Sequence, residues 1–155
     1  MATVIRGDDN FDTADAGKVL QVVQATSNTA TEPNASWTNI NGASVTITPS
    51  STSSKVLVTF NTGGMTQSIA DNISLKMLRG STSIRVSSRY GYCSVSGWVP
   101  IPFTFIYLDS PSTTASVTYT IQIKSDVNND LRVNHDQSNN GGVNGLVMMA
   151  TEIGG

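Results

Sequence analysis

His135 and Cys93 are the chain's single imidazole and single thiol, so they bound what catalysis it could run. A hydroxyl or thiol is a weak nucleophile until a neighbouring base takes its proton. Any Ser-His or Cys-His site would therefore have to pass through His135. The run Gly91 to Gly97, GYCSVSG, brings the thiol among serines but lacks the G-x-S-x-G spacing, and no strand-to-helix turn follows it. Asp136 beside His135 reads more simply as a polar loop pair, and His135 as a surface or interface hydrogen-bonding group. No catalytic residue is assigned, and the chain reads as non-enzymatic.

Metal chemistry has two fragments to offer. Asp8, Asn10 and Asp12 match the first three ligand positions of the calcium loop D-x-[DN]-x-[DN]-G. Thr13 then stands where the turn needs glycine, and Val19 where the loop needs its bidentate Glu. Asp126, Asn128 and Asp130 repeat the fragment with Leu131 in the glycine position. Both read as turns whose side chains cap their own backbone amides, so no metal or other cofactor is expected. Asn34-Ala35-Ser36 and Asn72-Ile73-Ser74 fit the glycosylation acceptor, but no secretory signal accompanies them. Trp37, Tyr90, Tyr92 and Trp98 supply aromatic faces on which a sugar could stack. Core or subunit interface is the commoner use of tryptophan in a β-sandwich. These four, with His135, are the candidate ligand or interface residues.

The elements that would position them are strands. Ile47 to Asn61 reads ITPSSTSSKVLVTFN, and Tyr107 to Lys124 echoes it as YLDSPSTTASVTYTIQIK. Each phrase stops a strand at a proline, crosses a hydroxyl-rich link and restarts with period two. Pro49 and Pro111 have no N–H to give a ladder, so each marks the end of a pairing segment. The pair reads as two corners of an antiparallel sandwich. Val45, Ile47, Val56, Val58, Phe60, Ile73, Leu75, Phe103, Phe105, Val117, Tyr119 and Ile121 hold the inward parity of their strands and should be buried. Further strands read from GKVLQVVQA, NISLKMLRG, TSIRVSS, DLRVNH and GLVMMATEI. SWTNI and ASVTITP flank Asn41-Gly42, a dipeptide that favours a tight turn between two strands. In WVPIPFTFIYLD, Pro100 and Pro102 share the parity opposite to Phe103 and Phe105, which suggests an edge strand or a bulged start. Ser138 to Gly145 reads as a loop.

Composition agrees. Val and Ile number 26 against 7 Leu, and Ser plus Thr number 39, a mix that favours pleated sheet over helix. No stretch sustains an i, i+3, i+4, i+7 apolar stripe. Charged residues are 13% of the chain, about half the ~25% of ordinary domains, so hydroxyls and amides must wet the surface. The net charge of -2 with no basic stripe argues against nucleic acid, and the longest apolar run, Leu146 to Ala150, against a membrane span. One cysteine allows no intrachain disulfide. The expected fold is all-β: an antiparallel two-sheet sandwich of jelly-roll type, with eight or nine strands and almost no helix.

With GKVLQVVQ, ITPSSTSSKVLVTF, LRGSTSI, YLDSPSTTASVTYTIQI and LVMMATEI in view, the chain resembles the small jelly-roll modules of tailed-bacteriophage virions. These stand at fibre tips or decorate the shell, and the likeness runs from Gly17 to Ile153. The resemblance implies a homotrimer without enzymatic activity, resident on the virion surface after assembly in the host cytoplasm. Fibre proteins carry a long shaft ahead of the module, whereas sixteen residues precede Gly17 here. That departure favours a capsid decoration, or cement, protein. Residues 1–16 would be its docking arm and residues 17–155 its sandwich, with the phage major capsid protein as partner. In the arm, Val4, Ile5 and Phe11 are apolar anchors among Arg6, Asp8, Asp9 and Asp12. The alternatives are a tail-fibre tip, partnered by other fibre or baseplate proteins, and a free-standing module binding a host surface glycan.

Overall fold

The structure is a computed structural model that describes residues 16–67, 71–93, 99–126, 131–134 and 145–155. Nine strands run as β1 Val19–Ser27, β2 Thr38–Ile47, β3 Lys55–Gln67, β4 Asp71–Arg79, β5 Thr82–Cys93, β6 Val99–Asp109, β7 Val117–Ser125, β8 Leu131–Val133 and β9 Leu146–Ile153. No helix occurs among the described residues. The strands form two antiparallel sheets in the orders β1-β9-β3-β6 and β2-β7-β4-β5, with the short β8 laid against the far end of β3.

The topology is a jelly roll. The antiparallel pairs β1–β9, β2–β7, β3–β6 and β4–β5 are four rungs of one long hairpin, with its tip at Gly80. Pairs β3–β9 and β4–β7 then close the rolled hairpin into two sheets. The echoed phrases now have a physical origin. At the step from β2 to β3, one arm of the hairpin crosses between sheets, and the other crosses back from β6 to β7. Both arms turn the same corner, so both carry a strand end, a proline and a hydroxyl-rich link.

The inward parity is as expected. Val45, Ile47, Val56, Val58, Phe60, Ile73, Leu75, Phe103, Phe105, Tyr119 and Ile121 are buried. Val117 opens β7 at the rim and is partly buried. Leu131, Val133, Leu146, Met148 and Ala150 extend the same core along β8 and β9. β6 is an edge strand, and its register against β3 shifts between Thr62 and Met65, in the proline-bearing half. Both devices keep Pro100 and Pro102 from interrupting a continuous ladder.

Asn41-Gly42 does not make the expected turn. β2 runs through it as one strand, and the dipeptide forms a bulge between Asn39 and Ser44. Gly42 takes a left-handed φ of 78°, and a Cβ there would stand 2.2 Å from the Ser27 Cβ of β1. Asn41 ties the bulge down by donating to the Ala30 carbonyl at 2.7 Å. Ile40 and Ala43 are buried on either side of the dipeptide. Burying both apolar flanks in one strand overrides the local preference for a hairpin turn.

Two carboxylates brace the shared corner. Glu152 of β9 is buried, accepting from the Ser50 amide and hydroxyl, each at 2.7 Å, and from Gln21 Nε2 at 2.6 Å. Gln21 also donates to the Thr48 carbonyl at 2.7 Å. Asp109 of β6 accepts from Arg79 Nη1 at 2.9 Å and from the Tyr119 hydroxyl at 2.8 Å. Burial, then the bond to Asp109 and its charge, push the Tyr119 phenol well above its ordinary range, so it stays a neutral donor. Val56 stands between the two acids, paired with Glu152 on one side and Asp109 on the other. The first link is thus anchored to β9 through Ser50 and Glu152, while the second starts from an Asp109 tied to β4 and β7, with Arg79 also donating to the Ser110 carbonyl at 3.3 Å.

Candidate interaction surfaces

The two outward faces of the sandwich differ in chemistry. On the β2-β7-β4-β5 sheet, cross-strand neighbours bond through hydroxyls and amides. Thr46 pairs with Thr118 at 2.8 Å, Ser44 with Thr120 at 3.3 Å, and Gln122 donates to Asn39 at 2.8 Å. This face is the hydroxyl-and-amide surface expected from the low charge content. Toward its β2 edge stands Trp37, with the Lys76 ammonium 4.3 Å from its centroid.

On the β1-β9-β3-β6 sheet the outward positions mix large apolar side chains with polar ones. Along one row stand Val22, Thr151, Leu57 and Leu108, along the next Gln24, Met149, Thr59 and Ile106, and along the third Thr26, Val147, Asn61 and Thr104, where Asn61 donates to the Thr104 hydroxyl at 3.1 Å. Val22, Ile106 and Leu108 are 56%, 53% and 47% exposed, while Leu57 and Met149 on the central strands are half-buried. The outward charged side chains described on the strands of this face are Lys55 at one end of β3 and Arg132 of β8 toward the other, the latter paired with Glu32 at 3.4 Å. The patch of Val22, Leu57, Met149, Ile106 and Leu108 is a candidate contact surface.

The aromatic candidates are dispersed. Tyr90 closes the gap between the edge strands β5 and β6. Its ring lies 4.9 Å from that of Phe103 and edge-on to Phe105, and its hydroxyl donates to the Thr104 carbonyl. Arg85 extends the closure over Phe105 and Tyr107, at 5.5 and 5.9 Å. Tyr90 therefore guards a strand edge and satisfies one of its carbonyls. Tyr92 is 62% exposed on β5, opposite Asn72. Trp37 enters from the β2 side, at the other edge of the same sheet, so Trp37, Tyr90 and Tyr92 do not share one stacking platform. Trp98, His135, Asn128, Asp130 and the arm residues Val4, Ile5, Arg6, Asp8, Asp9, Phe11 and Asp12 lie outside the described residues. Asp126 forms an ion pair with Lys124 at 3.5 Å.

Sequence reasoning passed over the apolar patch, although a signal for it exists. VLVTF, FTFIYL and LVMMA place Leu57, Ile106, Leu108, Val147 and Met149 on the outward parity, more apolar than a strand with one wet face requires. SVTIT and VTYTIQIK alternate cleanly, as strands with one wet face do.

No family model matches this sequence, and no curated protein matches it. Solved structures with a similar course of chain include infectious bursal disease virus, Gx strain, at 12% identity and a TM-score of 0.42, covering 97% of this chain and 42% of that one. Infectious bursal virus derived T=1 particles give 10% identity and a TM-score of 0.39, covering 99% of this chain and 41% of the other. The VP2 subviral particle of infectious bursal disease virus gives 10% and 0.40, covering 99% and 42%. The chain thus spans about two fifths of the length of those proteins. Likeness at this distance concerns the layout of strands alone.

Proposed function

We propose that this chain is a non-enzymatic structural protein of a tailed-bacteriophage virion. In this reading it is a trimeric capsid decoration protein, docked on the shell of major capsid protein through residues 1–16. The observation that carries the reading is the unequal dressing of the two sheets. One outer face is dressed mainly by hydroxyls and amides, and the other gathers Val22, Leu57, Met149, Ile106 and Leu108 into an apolar patch among Gln24, Thr59 and Thr151. A module built this way works by packing against protein on one side while meeting water on the other. The strand-and-link phrases shared with phage virion modules point to the particle on which it would do so.

Gly17, the residue that follows the proposed arm, donates its amide to the Gly154 carbonyl at 2.7 Å. A segment carrying Val4, Ile5 and Phe11 would suit strand addition to a neighbour's sheet, with main-chain bonds giving affinity and alternate side chains giving register. Its Asp8, Asp9 and Asp12 would add steering toward a basic patch, an effect that salt screens.

Deletion of residues 1–16 is the test. The truncated protein should keep its β-sheet circular dichroism and its assembly mass, yet lose co-sedimentation with capsids, since its grip would be gone. Full occupancy of capsids by the truncated protein would move the grip to the sandwich and sink the arm's role.

A further inference from the structure

Asn41-Gly42 carries a reactivity that its place in the fold controls. An asparagine followed by glycine cyclises readily in a free chain, because no side chain crowds the glycine amide. The Gly42 nitrogen attacks Cγ of Asn41 and expels the side-chain nitrogen as ammonia, its own proton passing through solvent to that leaving group. The product is a succinimide. Water then opens one of the two ring carbonyls, giving aspartate, or isoaspartate with the main chain running through the side-chain carbon. Asn28-Thr29, Asn34-Ala35 and Asn39-Ile40 nearby lack this freedom, since a side chain follows each of them.

The fold ties Asn41 away from the reaction. Its side-chain nitrogen, the leaving group, donates to the Ala30 carbonyl at 2.7 Å, and its main-chain amide donates to the Thr31 hydroxyl at 2.8 Å. Gly42 holds a left-handed φ of 78° with the Ser27 side chain standing where a Cβ would go, so the bulge cannot re-set its backbone in place. The acceptors are clamped in turn. Thr31 exchanges main-chain bonds with Val133 at 3.0 and 2.9 Å, and Asn134 donates to the Ser27 and Thr29 carbonyls at 2.9 and 3.4 Å. Asn41 and Gly42 are themselves exposed, so water reaches the dipeptide from outside.

From these ties we infer that Asn41 is a deamidation site gated by the fold, closed in the finished sandwich and reactive whenever residues 27–31 lift from β2. The products make the gate one-way. Aspartate sets a carboxylate oxygen against the Ala30 carbonyl, two acceptors where a donor stood. Isoaspartate adds a methylene to the main chain at the point where Gly42 has no space beside Ser27. Neither product refits the bulge, so a chain that deamidates while open loses the contact that closed it.

The test is peptide mapping by mass spectrometry on the full chain incubated at mildly alkaline pH. In denaturant, Asn41 should convert at the rate of Asn140 and Asn144, the chain's other asparagines followed by glycine. In native buffer it should convert at least about a hundredfold more slowly, as a sparsely populated local opening dictates. Native conversion at the denatured rate would overturn the inference. Thr31→Val keeps the side-chain volume and the main-chain bridge to Val133 but deletes the hydroxyl acceptor. It should speed native conversion about fivefold, the change in open population expected from losing one ordinary hydrogen bond. Asn134→Gly tolerates the left-handed φ of 57° at that position and cuts the clamp without touching Asn41, so it should act in the same direction. If both variants fold by circular dichroism yet convert as slowly as the parent, the ties are not the gate. Asn41→Asp, the product itself, should melt below the parent; equal melting would overturn the one-way step.

Discussion

Val58→Asp should leave no soluble folded protein. Val58 is fully buried on β3, the strand that joins β9 to β6, and it pairs with Ala150 on one side and Tyr107 on the other. A carboxylate there meets no cation or donor, and an unpaired buried charge costs several kcal/mol or forces the group to protonate. Either outcome consumes a large share of the ~5–15 kcal/mol that holds an ordinary domain together. The measurement is the soluble fraction on expression beside Thr59→Asp, one residue on and on the outward parity. Thr59→Asp should remain soluble and folded; if Val58→Asp is equally soluble and cooperative in melting, the inward parity of β3 is wrong.

Strong acid should remove the brace that Glu152 supplies. Burial alone would raise its carboxyl, but the bonds from Gln21 and Ser50 outweigh that and hold it at about 2, below its ordinary value of 4.5. A carboxyl depressed in the folded state binds its proton more readily when unfolded. Its stabilising contribution is therefore complete above about pH 4.5 and is lost as the pH falls toward 2. Glu152→Gln removes the charge while keeping the volume. Charge-assisted bonds of this type contribute about 2–3 kcal/mol, so the variant should melt about 5–10 °C lower at pH 7. The gap between the two proteins should narrow steadily from pH 4.5 to pH 2.5. A gap that stays constant across that range would mean the charge on Glu152 does not brace the corner.

How much of this was legible in the residues depends on whether the physics is local. The inward parities of KVLVTF, FTFIY and VTYTIQI could be read directly, because period two is a property of the strand itself. The corner prolines were legible for the same reason: a missing N–H ends pairing wherever it falls. Asn41-Gly42 misled because its turn preference is local, while Ile40 and Ala43 prefer the core, and burial won. Glu152 and Asp109 were invisible as a set, since their donors Ser50, Gln21, Arg79 and Tyr119 lie far away in sequence. The apolar patch needed a comparison between strands, with the outward Leu57, Met149, Ile106 and Leu108 of β3, β9 and β6 set against alternating β2 and β7. Trp37, Tyr90 and Tyr92 are alike as residue types, and only the fold separates an edge guard from a cation-capped ring and an exposed phenol.

The rolled hairpin also fixes an order of assembly. Its tip, β4 onto β5 about Gly80, closes across a few residues, whereas β1 meets β9 through the pairing of Val19 with Ile153. Loop-closure entropy grows with the length enclosed, so each rung depends on the previous one having shortened the effective loop. The chain should therefore zip outward from its middle and fold slowly for its size, as topologies dominated by distant contacts do. Pulsed hydrogen exchange during refolding should protect β4 and β5 before β1 and β9. Until that last rung forms, β9 is missing from between β1 and β3, and both strands present open edges on which another unfinished copy could pair. The final step of folding is thus also the step most exposed to domain exchange and aggregation.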